Sequence, residues 1–491
     1  MSSSNTTAPR TVEKRPRSPS PDTGEIPRAS KAPLLLLKVT GLDALVVAFQ
    51  QCPMIMKMVA HKLVFTSNAV RIELLNSGQP FVLAPDRRIF DEHRLSFGLT
   101  CFANSWAPQV TTLDLREQVL SHPVAGGYVQ LLQRMPNLEQ LGLRFEVNVG
   151  GQAGHFVELA NTRFRNMKVL DLRQCRFESD EVTAVLRSLS ECTGLRALHL
   201  DHSNLDGHAE DLAAIFNRNR ALSGVSFDCC FRQPDNGAIQ QIANALPTSL
   251  MSFVLGDHYG FRPEDWAAVL NKLAACPNLV TVDFENAIHA NVDSRKMRQF
   301  RARLGELQTV RNLSLSRWTL DREGTYGPVT LWETLATMRN LRKLDLTACN
   351  MRAVFFAEDL RLLPLLKELI LKNNRITSDS TRAFAMSWSV VFPGHVLVQP
   401  LWPSLEVLDL RYNQIGYYGI HHFMTQIHRM PRMRILEMAQ HGEFQYNIDT
   451  GLQYARDNIT GPDYQIEAVF DPSGNRTRVL RRVGYPVEVR V

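Results

Sequence analysis

The chain has 491 residues, 44% of them hydrophobic and 21% charged, so it is long enough to bury a large core and too apolar to be disordered throughout. Its net charge of +6 is modest for this length and does not by itself point to a polyanionic partner such as nucleic acid. A membrane-spanning helix needs about 18 or more apolar residues in a row. The best stretch, Pro33 to Phe49, is interrupted by Lys38, Thr40 and Asp43 and lies far from Met1 behind a polar segment, so no membrane segment or signal peptide is expected. The chain reads as soluble and intracellular, cytoplasmic or nuclear. The eight cysteines show no zinc-ligand spacing and read as buried thiols of a reducing compartment.

In chain order, residues 1–33 are rich in Ser, Thr, Pro, Arg and Lys and lack large apolar side chains, so they read as a disordered basic tail. Within it, Lys14, Arg15, Pro16 and Arg17 form a short basic motif followed by Ser18-Pro19 and Ser20-Pro21. The motif reads either as an importin-binding signal tuned by phosphate on Ser18 and Ser20 or as a solvated basic tail. Residues 34–109 carry apolar runs such as Leu34 to Leu37 and Ile72 to Leu75 that fit no regular period, and they read as an N-terminal capping region.

From residue 110 onward one phrase recurs: an apolar residue, two variable positions, Leu-x-Leu, two more variable positions, Cys or Asn, one variable position and an apolar residue. Clear copies run from Met167 to Phe177, Leu366 to Ile376 and Leu405 to Ile415. The starts are Val110, Leu138, Met167, Leu195, Leu222, Leu250, Leu279, Val310, Leu341, Leu366, Leu405 and Met433, so most spacings lie close to 28 residues. A fixed period of this length means stacked units, none able to bury its apolar face alone. The phrase resembles leucine-rich repeats, and the early part is similar to their ribonuclease-inhibitor-like class. The resemblance covers Val110 to His441. It implies an α/β fold, a right-handed solenoid or horseshoe with parallel strands on the concave face and helices on the convex face.

Alternation along a strand turns both leucines of Leu-x-Leu inward and the intervening residues outward. Cys175, Cys230, Cys349, Asn374 and Asn413 resemble the family's buried ladder position, where the side chain satisfies backbone groups at the turn leaving the strand. Val182, Val185, Leu186 and Leu189, and again Trp266, Val269, Leu270 and Leu273, have helical spacing. Prolines at 136, 277, 364, 403 and 431 stand two residues before a start, where they end a helix. About twelve repeats thus occupy residues 110–445. An unusually long gap between Leu366 and Leu405 places a loop near Trp388 to Trp402. Residues 446–491 read as a C-terminal cap built on a hairpin, with strands at Tyr464 to Phe470 and Arg478 to Val483 around a turn at Asp471 to Asn475.

No phosphate-binding glycine loop, zincin motif or nucleophile elbow is present, so no enzyme activity, cofactor or metal is expected. The histidines at 199, 202 and 208, and at 421, 422 and 428, read as ordinary surface residues. The outward positions carry the readable information. The column after the second strand leucine holds Arg116, Arg144, Arg173, Asp201, Asp228, Glu285, Lys372 and Arg411, which are the candidate partner-binding residues. The column between the leucines holds Asp114, Asp171, Asp283, Asp345, Asp409 and Glu437. This mixed pattern is either self-compensation or complementarity to a protein, and it disfavours nucleic acid, which wants an unbroken basic track. The expected function is a non-enzymatic protein-interaction scaffold of unknown partner. A first alternative is a ubiquitin-ligase substrate receptor that contacts a ligase adaptor through residues 34–109. F-box proteins resemble that layout, although the F-box pattern itself is not matched. A weaker alternative is a GTPase regulator.

Overall fold

The structure is a computed structural model. It describes the backbone of residues 60–65, 70–74, 81–83, 464–470, 476–482 and 488–490 and, with breaks, residues 111–437; the main breaks are 115–131, 144–166, 287–293, 319–327, 352–362, 387–402 and 420–431. The chain divides into units of residues 1–37 and 38–491, and every described residue belongs to the second. Lys14 to Arg17, Ser18, Ser20 and the segment from Trp388 to Trp402 lie outside the described residues.

Twelve short strands, β4 (Thr112–Asp114) through β15 (Ile435–Glu437), pair side by side in chain order, each parallel to the next. Every one begins two residues after an apolar start of the sequence repeat, for example β6 (Val169–Asp171) after Met167 and β14 (Val407–Asp409) after Leu405. The residue following each start and the second leucine carry the ladder on past the strand: Leu172 N–H donates to His199 C=O at 2.8 Å and Leu143 N–H to Asp171 C=O at 2.8 Å. At the N-terminal end β1 (Ala60–Phe65) runs parallel to β4 and antiparallel to β2 (Val70–Leu74), which pairs with β3 (Phe81–Leu83). At the other end β18 (Glu488–Arg490) lies parallel to β15 and antiparallel to β17 (Arg476–Arg482), which forms a hairpin with β16 (Tyr464–Phe470). No described helix is long and apolar enough to cross a membrane.

Described helices are α1 (Ser179–Ser190), α2 (Ala209–Arg218), α3 (Ala238–Ala245), α4 (Pro263–Ala274), α5 (Ser294–Leu304), α6 (Pro328–Thr337) and α7 (Ser378–Met386), each in the return from one strand to the next. Each of α1 to α5 packs on its successor. Their apolar stripes face the strand leucines: Val182, Val185, Leu186 and Leu189 of α1 and Trp266, Val269, Leu270 and Leu273 of α4 are all buried. Pro263 opens α4, where a missing N–H costs nothing. Asp265 then accepts from the Arg262 backbone N–H at 2.9 Å. Each leucine removed from water contributes about 1.5–3 kcal/mol, and one row of leucines serves every repeat.

Two further devices tie consecutive repeats together. The first is a row of donors aimed one repeat back, at the carbonyl of the second strand leucine or its equivalent. Cys175 Sγ reaches Leu143 O at 3.4 Å, Cys230 Sγ Leu200 O at 3.0 Å and Cys349 Sγ Leu315 O at 3.2 Å. Asn374 Nδ2 reaches Leu346 O and Asn413 Nδ2 reaches Leu371 O, each at 2.9 Å. Trp318 Nε1 occupies the same register and donates to Phe284 O at 2.6 Å, a role the repeat phrase does not disclose. The second is an aromatic chain through the middle repeats. Phe216, Phe227, Phe231, Phe261, Trp266, Phe300 and Trp318 follow one another with ring centroids 5.0–6.1 Å apart. No disulfide joins the described cysteines, and all but Cys229 are buried.

Candidate functional site on the open face of the sheet

Because the strand leucines point inward, the residues between and after them form columns on the open face of the sheet, about 5 Å from strand to strand. The column between the leucines is set by register: Asp171 pairs with His199, His199 with Ser226, Ser226 with Val254, Val254 with Asp283, Asp283 with Ser314 and Ser314 with Asp345. The acidic residues that the sequence aligns are therefore mostly interleaved with neutral ones, and the described carboxylates adjacent in this column are Asp409 and Glu437.

On either side of its centre the face is self-neutralised. Asp171 is buried beneath Arg173, whose Nε and Nη2 donate to it at 2.9 and 2.7 Å. Burial pushes the Asp171 carboxyl up, but the hydrogen bonds and charge of Arg173, with His199, outweigh it and hold the group below its usual value. The far end repeats the arrangement: Arg411 donates to buried Asp409 at 2.9 and 2.6 Å and reaches Glu437 at 2.9 Å. Lys372 lies over the Tyr412 ring, 5.2 Å from its centroid. Arg116 and Arg144 lie outside the described residues.

The centre is different. Asp201 turns inward, accepting from Ser226 Oγ and from the Asp228 backbone N–H at 2.9 Å, so it organises the neighbouring turn. Asp228 is half-buried, and its Oδ1 is shielded from water with no hydrogen-bond partner among the described residues. Gly256 makes this position possible, since a Cβ there would lie 2.7 Å from Glu285 O and nearer still to Asp228 Oδ1. Burial pushes the Asp228 carboxyl up, and the charges of Asp201, Glu285, Asp257 and Asp283 push it further, to about 7. Asp283 is also raised, first by burial. The described basic side chains that reach this group are Arg317, 3.1 Å from Glu285, and the His202 imidazole, 3.9 Å from Asp228.

A third column lies at the turn that leaves each strand. His202, Cys229, Asp257, Asn286, Arg317, Ala348, Asn373 and Tyr412 all have φ between 49° and 65°. A left-handed residue other than glycine costs roughly 1–2 kcal/mol. The conformation recurs for residues as different as Ala348 and Tyr412, so the repeat geometry imposes it rather than any local chemistry. Sequence reasoning missed this column, although its members are one repeat period apart.

These features define a class: the chain carries leucine-rich repeats stacked as an α/β solenoid. The family model described as "Leucine Rich repeat" matches residues 403–420. No curated protein matches the chain. Among solved structures, it is similar to an internalin from Listeria monocytogenes at 13% identity and a TM-score of 0.36, covering 63% of this chain and 76% of that one. It is also similar to the leucine-rich repeat-containing protein LegL7 from Legionella pneumophila, at 16% identity and a TM-score of 0.35, covering 56% and 86% respectively. A third likeness is to the complex of Rad7 and Elc1 in yeast, at 14% identity and a TM-score of 0.41, covering 71% and 75%.

Proposed function

We propose that the chain is a non-enzymatic scaffold that binds a protein partner across the open face of its sheet, with a basic segment of the partner over Asp228, Asp283 and Glu285. The observation that carries this reading is the contrast along the face: Arg173 and Arg411 are clamped on their own aspartates, whereas the central carboxylates stand close together, and burial followed by their mutual repulsion raises Asp228 to about 7. A cationic partner relieves that repulsion, whereas an acidic one first has to break the arginine clamps. Complementarity of this kind sets orientation and on-rate and is weakened by salt. Nucleic acid is disfavoured because an acidic centre interrupts any basic track. Partner contacts at Arg116 and Arg144, importin recognition of Lys14 to Arg17, and adaptor binding by residues 34–109 remain sequence-based proposals.

The test uses a fluorescent lysine-rich peptide, with a glutamate-rich peptide of equal length as control, and reads anisotropy against the full chain. Wild type should bind the lysine-rich peptide, weakening as salt rises. The Asp228→Lys, Asp283→Lys, Glu285→Lys triple variant should lose at least about tenfold in affinity, roughly 1.4 kcal/mol. Preference of the wild type for the glutamate-rich peptide, or unchanged affinity in a folded triple variant, would overturn the reading.

A further inference from the structure

We propose that His202, Asp228 and Cys229, with Asp257 beside them, form a binding site for a borderline-soft divalent cation, with Zn²⁺ the best match. The inference rests on the His202 and Cys229 geometry rather than on the scaffold reading, and the two share Asp228. Left-handed turn residues of successive repeats stack in one column, so His202, Cys229 and Asp257, spaced 27 and 28 residues apart in sequence, are neighbours in space. Asp228 precedes Cys229 in the turn that follows the strand Gly224–Ser226 and brings a carboxylate oxygen to the same place. One ligand atom from each of His202, Asp228 and Cys229 lies within 4.8 Å of the other two. Bonds of 2.0–2.3 Å in a tetrahedral site put ligand atoms roughly 3.3–3.7 Å apart, so small side-chain rotations suffice. Asp257 lies outside this group of three, but its Oδ2 accepts from Cys229 Sγ at 3.2 Å and so orients the sulfur.

The donor set sets the metal class. Imidazole, thiolate and carboxylate together suit zinc and its neighbours, whereas calcium and magnesium take oxygen alone. Outer contacts hold the donors in place: Asn286 Nδ2 donates to Asp257 Oδ1 and leaves Oδ2 toward the sulfur, and Asp201 accepts from the Asp228 backbone N–H. Asp228 Oδ1, without a hydrogen-bond partner among the described residues, adds acceptor capacity. His202 is exposed, so a hydrated ion can reach the site, while Cys230 is buried and spent on Leu200 O. Coordination replaces the Cys229 S–H bond with a metal–sulfur bond and releases the proton to water, with no change of oxidation state.

The reduced, metal-free full chain is titrated with Co²⁺, whose thiolate bond gives a charge-transfer absorption in the near ultraviolet. One equivalent should saturate the band, and Zn²⁺ should displace it. Cys229→Ser should abolish the band, His202→Ala and Asp228→Asn should each weaken Co²⁺ binding by at least about tenfold, and Cys276→Ser should leave it intact. In the wild type, which needs no variant to fold, Zn²⁺ should slow alkylation of Cys229 as mapped by mass spectrometry. No band at one equivalent, a full band in Cys229→Ser, or alkylation of Cys229 indifferent to Zn²⁺ would each overturn the proposal.

Discussion

Arg173 and Asp171 show how two neighbours in sequence become one unit of structure. The carboxylate is buried by the sheet, and the guanidinium closes over it with two parallel hydrogen bonds. The folded value of Asp171 is depressed, so its contribution to stability is complete above the ordinary value of 3.8 and fades as pH falls through the lowered one. In Arg173→Leu the burial that raises this group is no longer opposed by the arginine. The variant should lose on the order of 1 kcal/mol at neutral pH, a figure kept small because Arg173 is largely exposed. Thermal melts across pH check this: the deficit should shrink on acidification toward the ordinary carboxylate range, and a deficit independent of pH would mean that Arg173 acts by packing alone.

Between repeats, the side chain that leaves each strand decides how firmly one unit holds the next. Cysteine, asparagine and tryptophan share the task of donating to a buried carbonyl one repeat back, and they differ in what else they fill. Trp318 also closes the aromatic chain against Phe300, with centroids 5.0 Å apart. Trp318→Phe keeps a ring but strips the donor, leaving Phe284 O buried without that partner; the expected loss is about 1–3 kcal/mol. Urea titration measures it as a fall in midpoint with an unchanged slope. A wild-type midpoint would show that water or a shifted neighbour satisfies the carbonyl.

For the solenoid, stability is close to a sum of repeat and neighbour terms, so a complete unit can be removed where a fragment cannot. Deleting residues 222–249, one period from Leu222 up to Leu250, should bring the β7 (Ala197–His199) and β9 (Ser252–Val254) strands into the pairing that β8 (Gly224–Ser226) now holds with each. Circular dichroism should still show a cooperative melt, at a lower midpoint. Deleting only residues 222–235 removes half a period and should abolish the cooperative transition. If both deletions behave alike, the repeats are not interchangeable units.

Leu-x-Leu spacing made the architecture legible, because burying one stripe of leucines per repeat leaves few alternatives: the twelve starts in the sequence are followed two residues later by the twelve parallel strands. The ladder cysteines and asparagines and the helical stripes at Val182 and Trp266 were legible for the same reason, since each depends on local periodicity. The electrostatics were not. Reading Arg173, Asp201, Asp228 and Arg411 as equivalent positions ignores burial, and burial turns Asp201 inward, clamps the two arginines and leaves Asp228 raised. The His202, Cys229 and Asp257 column lies beyond any local motif, because its members meet only when repeats stack. A period in the chain dictates which backbone forms, whereas charge and coordination depend on distances of a few ångströms across strands, which only the stacked structure supplies.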